Sequence, residues 1–170
     1  MAAGARVQGD IKRSFAPVTD ERTRILVLGS LPGERSLAEQ RYYANPRNHF
    51  WTLLGEVIER DLVALDYPDR LRALLDARVG LWDVVESAGR EGSLDANIRG
   101  HRPNRLAALA AGLPGLRAIA FNGGTAAKIG RGQLPEPGGI ALVALPSSSP
   151  AYTLPLPEKR LRWLQLRQWL

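Results

Sequence analysis

Four short apolar runs punctuate the chain: RILVLGS at 24–30, VGLWDVV at 79–85, RAIAFNG at 117–123 and IALVAL at 140–145. Each is nearly continuous rather than alternating, the pattern of strands buried on both faces of a parallel sheet. Helical spacing fills the intervals. Residues 46–60 place Phe50, Trp51, Leu54, Val57 and Ile58 on one face, with Asn45 as the expected N-cap and Pro46 in the first helical position. Further helices are expected at 67–78, 103–113, 125–129 and 157–170. Strands alternating with helices predict an α/β fold, a three-layer α/β/α sandwich around a central, mostly parallel four-stranded sheet. Residues 1–23 read as a loosely ordered polar lead-in and 24–170 as one domain. The polar stretch 87–102, SAGREGSLDANIRGHR, reads as a long loop after the second strand.

Composition narrows the classes of function. The chain has 170 residues, a net charge of +6 and a pI of about 10.3, with arginine supplying most of the positive charge. That balance favours an anionic partner. The absence of cysteine excludes disulfides, thiolate metal sites, iron–sulfur clusters and thiol nucleophiles. His49 and His101 are too far apart in sequence to make a metal signature. No apolar run reaches membrane-spanning length and the first residues lack a signal-peptide core, so a cytoplasmic protein with no membrane partner is expected.

The candidate chemistry lies just after the strands, where parallel sheets bind ligands. The first strand ends in Gly29-Ser30-Leu31-Pro32-Gly33, a loop whose backbone can approach a ligand closely. The second carries Asp83 within an otherwise apolar run. The third ends at Asn122-Gly123-Gly124, and the fourth runs into Pro146-Ser147-Ser148-Ser149-Pro150. Together with Asn48 and the nearby aromatic rings, these amides, hydroxyls and one carboxylate suit a flat polar heterocycle.

Three segments carry a family resemblance: GSLPG with the following QRYYANPRNHFW, then LWDVV, then FNGG leading into LPSSSPA. In that order they resemble the uracil-DNA glycosylase superfamily, most closely its hypoxanthine-DNA glycosylase branch. GSLPG stands where relatives have a GxxPG- or GQDPY-like motif, and LPSSSP where they have HPS or NPS. Leu31 replaces the Asp or Asn that several relatives place in the first motif, and Leu145 replaces the His common in uracil enzymes. The resemblance therefore implies Asn48 of the PRNHFW segment as the catalytic residue, orienting water and stabilising a sugar cation. It further implies that GSLPG and Phe50 enclose a flipped base, with Phe50 stacking on it, that Asp83 or Asn122 reads the base edge, and that Ser147, Ser148, Ser149 and the GSLPG backbone hold flanking phosphates. The implied protein is a monomeric, monofunctional glycosylase that needs no metal or organic cofactor. Its implied partner is DNA containing deaminated bases, and its product is hypoxanthine. A uracil glycosylase acting on mismatched or single-stranded DNA, and a non-catalytic nucleic-acid-binding module, are the alternatives.

Plain structural readings stand beside these. Asn48 also fits a helix start, Phe50 a core position by its helical spacing, Asp83 a hydrogen-bonded structural carboxylate, Asn122 a turn, and the serine run an ordinary loop. Tyr42 and Tyr43 fit either a DNA wedge or a pocket wall. The tryptophans fit the core. The last helix, EKRLRWLQLRQWL, fits a cover for the sheet with Lys159, Arg160, Arg162 and Arg167 on a basic outer face.

Overall fold

The computed structural model describes residues 11–170, so the first ten residues of the expected lead-in fall outside the described residues. The apolar runs form strands β2 (Ile25–Gly29), β3 (Val79–Asp83), β6 (Ala118–Asn122) and β7 (Ala141–Leu145), all parallel, in the order β3-β2-β6-β7. Alternate residues of each strand face opposite layers. On one side Ile25, Val27, Leu81 and Ala120 pack against α2 (Phe50–Val57), α3 (Tyr67–Asp76) and α6 (Leu156–Leu164) through Phe50, Leu54, Leu74 and Trp163. On the other, Leu26, Leu28, Ile119 and Phe121 meet α4 (Leu106–Ala111) and α5 (Gly124–Gln133) through Leu106 and Ala126. The three-layer sandwich is the observed architecture. No helix among the described residues is long and apolar enough to cross a membrane.

The expected loop at 87–102 is instead a folded ribbon. β4 (Val85–Gly89) and β5 (Arg99–Pro103) pair antiparallel, and β1 (Ile11–Arg13) adds to β4, giving a second sheet in the order β1-β4-β5. Every residue of β5 is exposed, so backbone pairing rather than an apolar face holds it, and no hydrophobic pattern marks it. From residue 11 onward the lead-in is tied down as well. Val18 and Leu81 exchange two backbone hydrogen bonds of 2.9 Å along the edge of β3, and Trp82 Nε1 donates to the Phe15 carbonyl at 2.9 Å.

Several helix boundaries differ from expectation, among them α4, which is shorter than the expected 103–113 because Pro103 ends β5. α2 begins at Phe50 with His49 as its N-cap residue, not at Pro46. The Asn45 side chain accepts from the Arg47 amide and the Asn48 side chain from the Phe50 amide, both at 3.0 Å, and these turns compete with helix. α5 runs past Ile129 to Gln133. Gly130 reads as a helix breaker, yet any side chain there would collide with the Phe121 ring, so it serves close helix–strand packing. The last helix gives way to a 3-10 segment, Gln165–Trp169. In α6, Lys159 is not on an outer basic face: it is 1% exposed and its ammonium donates to the Ser149 carbonyl at 3.1 Å. A short helix, α1 (Glu34–Glu39), follows the first loop.

Candidate active site

The carboxyl ends of the four parallel strands open into a cleft of about 450 Å³. Gly29, Ser30, Leu31, Pro32 and Gly33 form one wall, Ser147, Ser148 and Ser149 the facing wall, and Asn48, Asp83 and Asn122 lie between. A groove of about 540 Å³ between α2 and α6 is roomier, but no strand end reaches it and its Arg167 pairs with Glu59 at 3.7 Å. The chemistry converges on the first cleft, not the second.

The first wall is held by residues that the polar stretch after β4 supplies. Arg90, 4% exposed, donates to the carbonyls of Leu31, Pro32 and Gly92. Ser30 Oγ donates to Asp95 Oδ1 at 2.6 Å, and the Glu34 amide donates to Ser93 Oγ at 2.9 Å. The loop and the ribbon are thus one bonded unit. Arg90 and Asp95, which itself lines the cleft, are functional candidates that residue patterning does not reveal. Their only sequence signal is a run of charged and small residues of the kind found in any surface loop.

Across the cleft Asn122 and Ser148 hold each other twice. Asn122 Nδ2 donates to Ser148 Oγ and the Ser148 amide donates to Asn122 Oδ1, each at 2.9 Å. Ser148 is fully buried, whereas Ser147 and Ser149 are partly exposed. Ser147 Oγ accepts from the Ser149 amide and Ser149 Oγ from the Ala151 amide, which leaves each hydroxyl proton to donate elsewhere.

Phe50 departs from its expected place beside the ligand. It is fully buried, and Tyr43 stacks on it with ring centroids 3.6 Å apart and planes 10° apart. Tyr43, with Tyr42 and Tyr152, lines the cleft, and Phe50 does not. The reason is the chain path: α2 starts at Phe50 and turns its first aromatic residue into the core beside Trp51 and Trp163. Asn48 lies just ahead of the N-cap rather than in the first turn. Its Oδ1 is steered by the Phe50 amide, while its Nδ2 is engaged by no other group among the described residues.

Asp83 is the electrostatic centre. It is 3% exposed, and its Oδ2 has no hydrogen-bond partner among the described residues. Burial first, and the negative charge of Asp95 second, push its carboxyl up to about 7, against the pull of Arg90. Burial likewise pushes up the Tyr43 hydroxyl, with Asp83 adding to the effect. Gly29 makes room for both. A methyl group there would lie 2.6 Å from Asp83 Oδ1 and 2.7 Å from the Tyr43 hydroxyl. The described residues contain no cluster of three or more His, Asp or Glu side chains able to hold a metal ion.

Residues 16–169, which include every wall of this cleft, match the model of the uracil DNA glycosylase superfamily. The chain belongs to that superfamily. It is 45% identical over 112 residues to the hypoxanthine DNA glycosylase of Methanosarcina barkeri, covering 66% of this chain and 71% of that protein. It is 46% identical over 113 residues to the hypoxanthine DNA glycosylase of Methanosarcina acetivorans, covering 66% and 72%. The solution NMR structure of a candidate uracil DNA glycosylase from Methanosarcina acetivorans superposes with a TM-score of 0.83 at 39% identity, over 94% of this chain and 98% of that one. The glycosylase fold and the motif-bearing loops therefore occur together in this member of the superfamily.

Proposed function

We propose that this protein is a monofunctional DNA glycosylase that takes a deaminated base out of the helix and releases it by hydrolysis, with hypoxanthine as its main substrate. The observation that carries the reading is the meeting of Asn48, Tyr43 and Asp83 in one cleft at the strand ends, in a chain similar to hypoxanthine DNA glycosylases.

Breaking the bond between sugar and base builds positive charge on the sugar and negative charge on the base. An amide is too weak a base to remove a proton, so Asn48 acts by placing the attacking water and by its dipole. Its oxygen is already oriented by the Phe50 amide, which lowers the reorganisation needed when charge develops. Tyr43 has one face covered by Phe50, and its other face stacks on the extruded base. Asp83 contacts the base edge. Asn122, with both ends of its amide engaged by Ser148, positions the serine loop instead of reading the base. Ser147, Ser149 and the backbone of the first loop hold phosphates on either side.

The test is base release from labelled duplexes carrying one deoxyinosine or one deoxyuridine, followed by alkali. Strand breaks at deoxyinosine that appear only after alkali are expected. Breaks before alkali would overturn monofunctional action, breaks confined to deoxyuridine would overturn the hypoxanthine assignment, and none at either would overturn catalysis.

A further inference from the structure

A buried carboxyl group normally finds a cation or several hydrogen-bond donors, because an isolated buried carboxylate is costly. Asp83 departs from that rule at the edge of a cleft. Its Oδ2 has no partner among the described residues, and the nearby guanidinium of Arg90 spends its hydrogen bonds on three backbone carbonyls. The other groups facing it do not neutralise a negative charge: the hydroxyls of Tyr42 and Tyr43, both held neutral, and the carboxylate of Asp95, with Glu34 acting only through Arg90. A carboxyl so placed favours its protonated form, and Asp83 lines the cleft.

We propose that Asp83 is the acid of the reaction, giving its proton to the departing base, and that Asp95 and Arg90 are positioning residues that set its protonation. The proposal rests on the reading of the cleft as the base site. The bond between C1′ and the base breaks with its electron pair going to the base. A basic atom of the purine, a ring nitrogen or the carbonyl oxygen, takes the Asp83 proton, and the base leaves neutral. Asp83 becomes a carboxylate facing Arg90. Water adds to C1′ and loses a proton to solvent in the open cleft, and Asp83 regains one from the same solvent. No metal, oxidant or further reactant enters the balance. Protonation of the leaving group is what a purine needs when no donor such as histidine stands at Leu145. The upward displacement of the Asp83 carboxyl to about 7 agrees with an acid ready to act near neutral pH.

Single-turnover release of hypoxanthine is measured against pH for the wild type, Asp83→Asn and Asp95→Asn, beside binding to a duplex carrying an uncleavable 2′-fluoro deoxyinosine. The wild-type rate should be level below about 7 and fall about tenfold per pH unit above it. Asp83→Asn should lose that limb and run about 100-fold slower at its acidic end while still binding the analogue. Because the Asp95 charge raises the Asp83 value, Asp95→Asn should move the limb to lower pH. A wild-type profile level through neutrality, an unslowed Asp83→Asn, or a limb that survives Asp83→Asn would each overturn the proposal. So would an Asp95→Asn limb left in place. Failure of the wild type to release hypoxanthine at any pH is a different result: it removes the reading of the site, and the proposal with it.

Discussion

Tyr43 lies flat on Phe50, 3.6 Å between ring centroids, and this stacking divides two jobs between adjacent aromatic residues. Phe50 belongs to the core and Tyr43 to the cleft. Phe50→Ala should therefore cost about 3–5 kcal/mol of stability by denaturant unfolding. Tyr43→Ala should cost less stability but weaken binding to a deoxyinosine duplex relative to an undamaged one, while Tyr43→Phe should keep most of that preference. Equal loss of stability in both alanine variants, with damage preference intact, would contradict the division.

Asn48 should matter for turnover far more than for affinity. Asn48→Ala is expected to lower the single-turnover rate by about 100- to 1,000-fold while leaving the dissociation constant for an uncleavable duplex within a few-fold. The control is the melting temperature, since the variant also loses the hydrogen bond that the Phe50 amide donates to Asn48. An active Asn48→Ala enzyme would remove the mechanism.

Gly29→Ala adds one methyl group at the point where Asp83 and Tyr43 approach each other. With 2.6 Å and 2.7 Å of clearance, one of the two side chains must shift. We expect activity to fall by more than a factor of ten, with a stability loss of about 1–3 kcal/mol typical of overpacking. A fully active Gly29→Ala would mean that the spacing of the two groups is not critical.

The Asp83 carboxyl should also leave a mark on stability. Its folded value, about 7, lies above the unfolded 3.8, so between these pH values the folded state holds a proton that the unfolded state has lost. Stability contributed by that proton is complete below the unfolded value and declines as pH rises, until the loss levels off above the folded value, at about 4 kcal/mol in total. Asp83→Asn should then be more stable than the wild type at alkaline pH, and the difference should shrink as pH falls below about 7 and vanish only below about 3.8. Equal melting temperatures across this range would mean that Asp83 is not an unpaired buried acid.

The parallel sheet was legible because its strands are apolar on both faces, as Ile25–Gly29 is throughout. Most of the cleft was legible for a related reason: strand-end residues of a parallel sheet meet at one edge whatever the intervening chain does. The ribbon was not, since Arg99–Pro103 is held by backbone pairing and carries no apolar face. Arg90 and Asp95 were hidden with it, their burial arising from contact with a loop some sixty residues earlier. Helical spacing puts Phe50 on the apolar face of its helix, and the structure keeps it there, whereas the resemblance assigns it to the base; Tyr43 takes the pocket-wall place instead.

The strand order β3-β2-β6-β7 puts Asp83 and Leu145 at the ends of the two outermost strands. Three inter-strand spacings separate these ends, about 14 Å, and the serine loop after Leu145 folds back over the end of β6, where Ser147 meets Gly123. The sheet is thus a ruler whose graduations are peptide hydrogen bonds. Substitutions at either end change what is touched there but leave the interval alone, so a smaller base in the cleft must leave water behind it rather than draw the walls together.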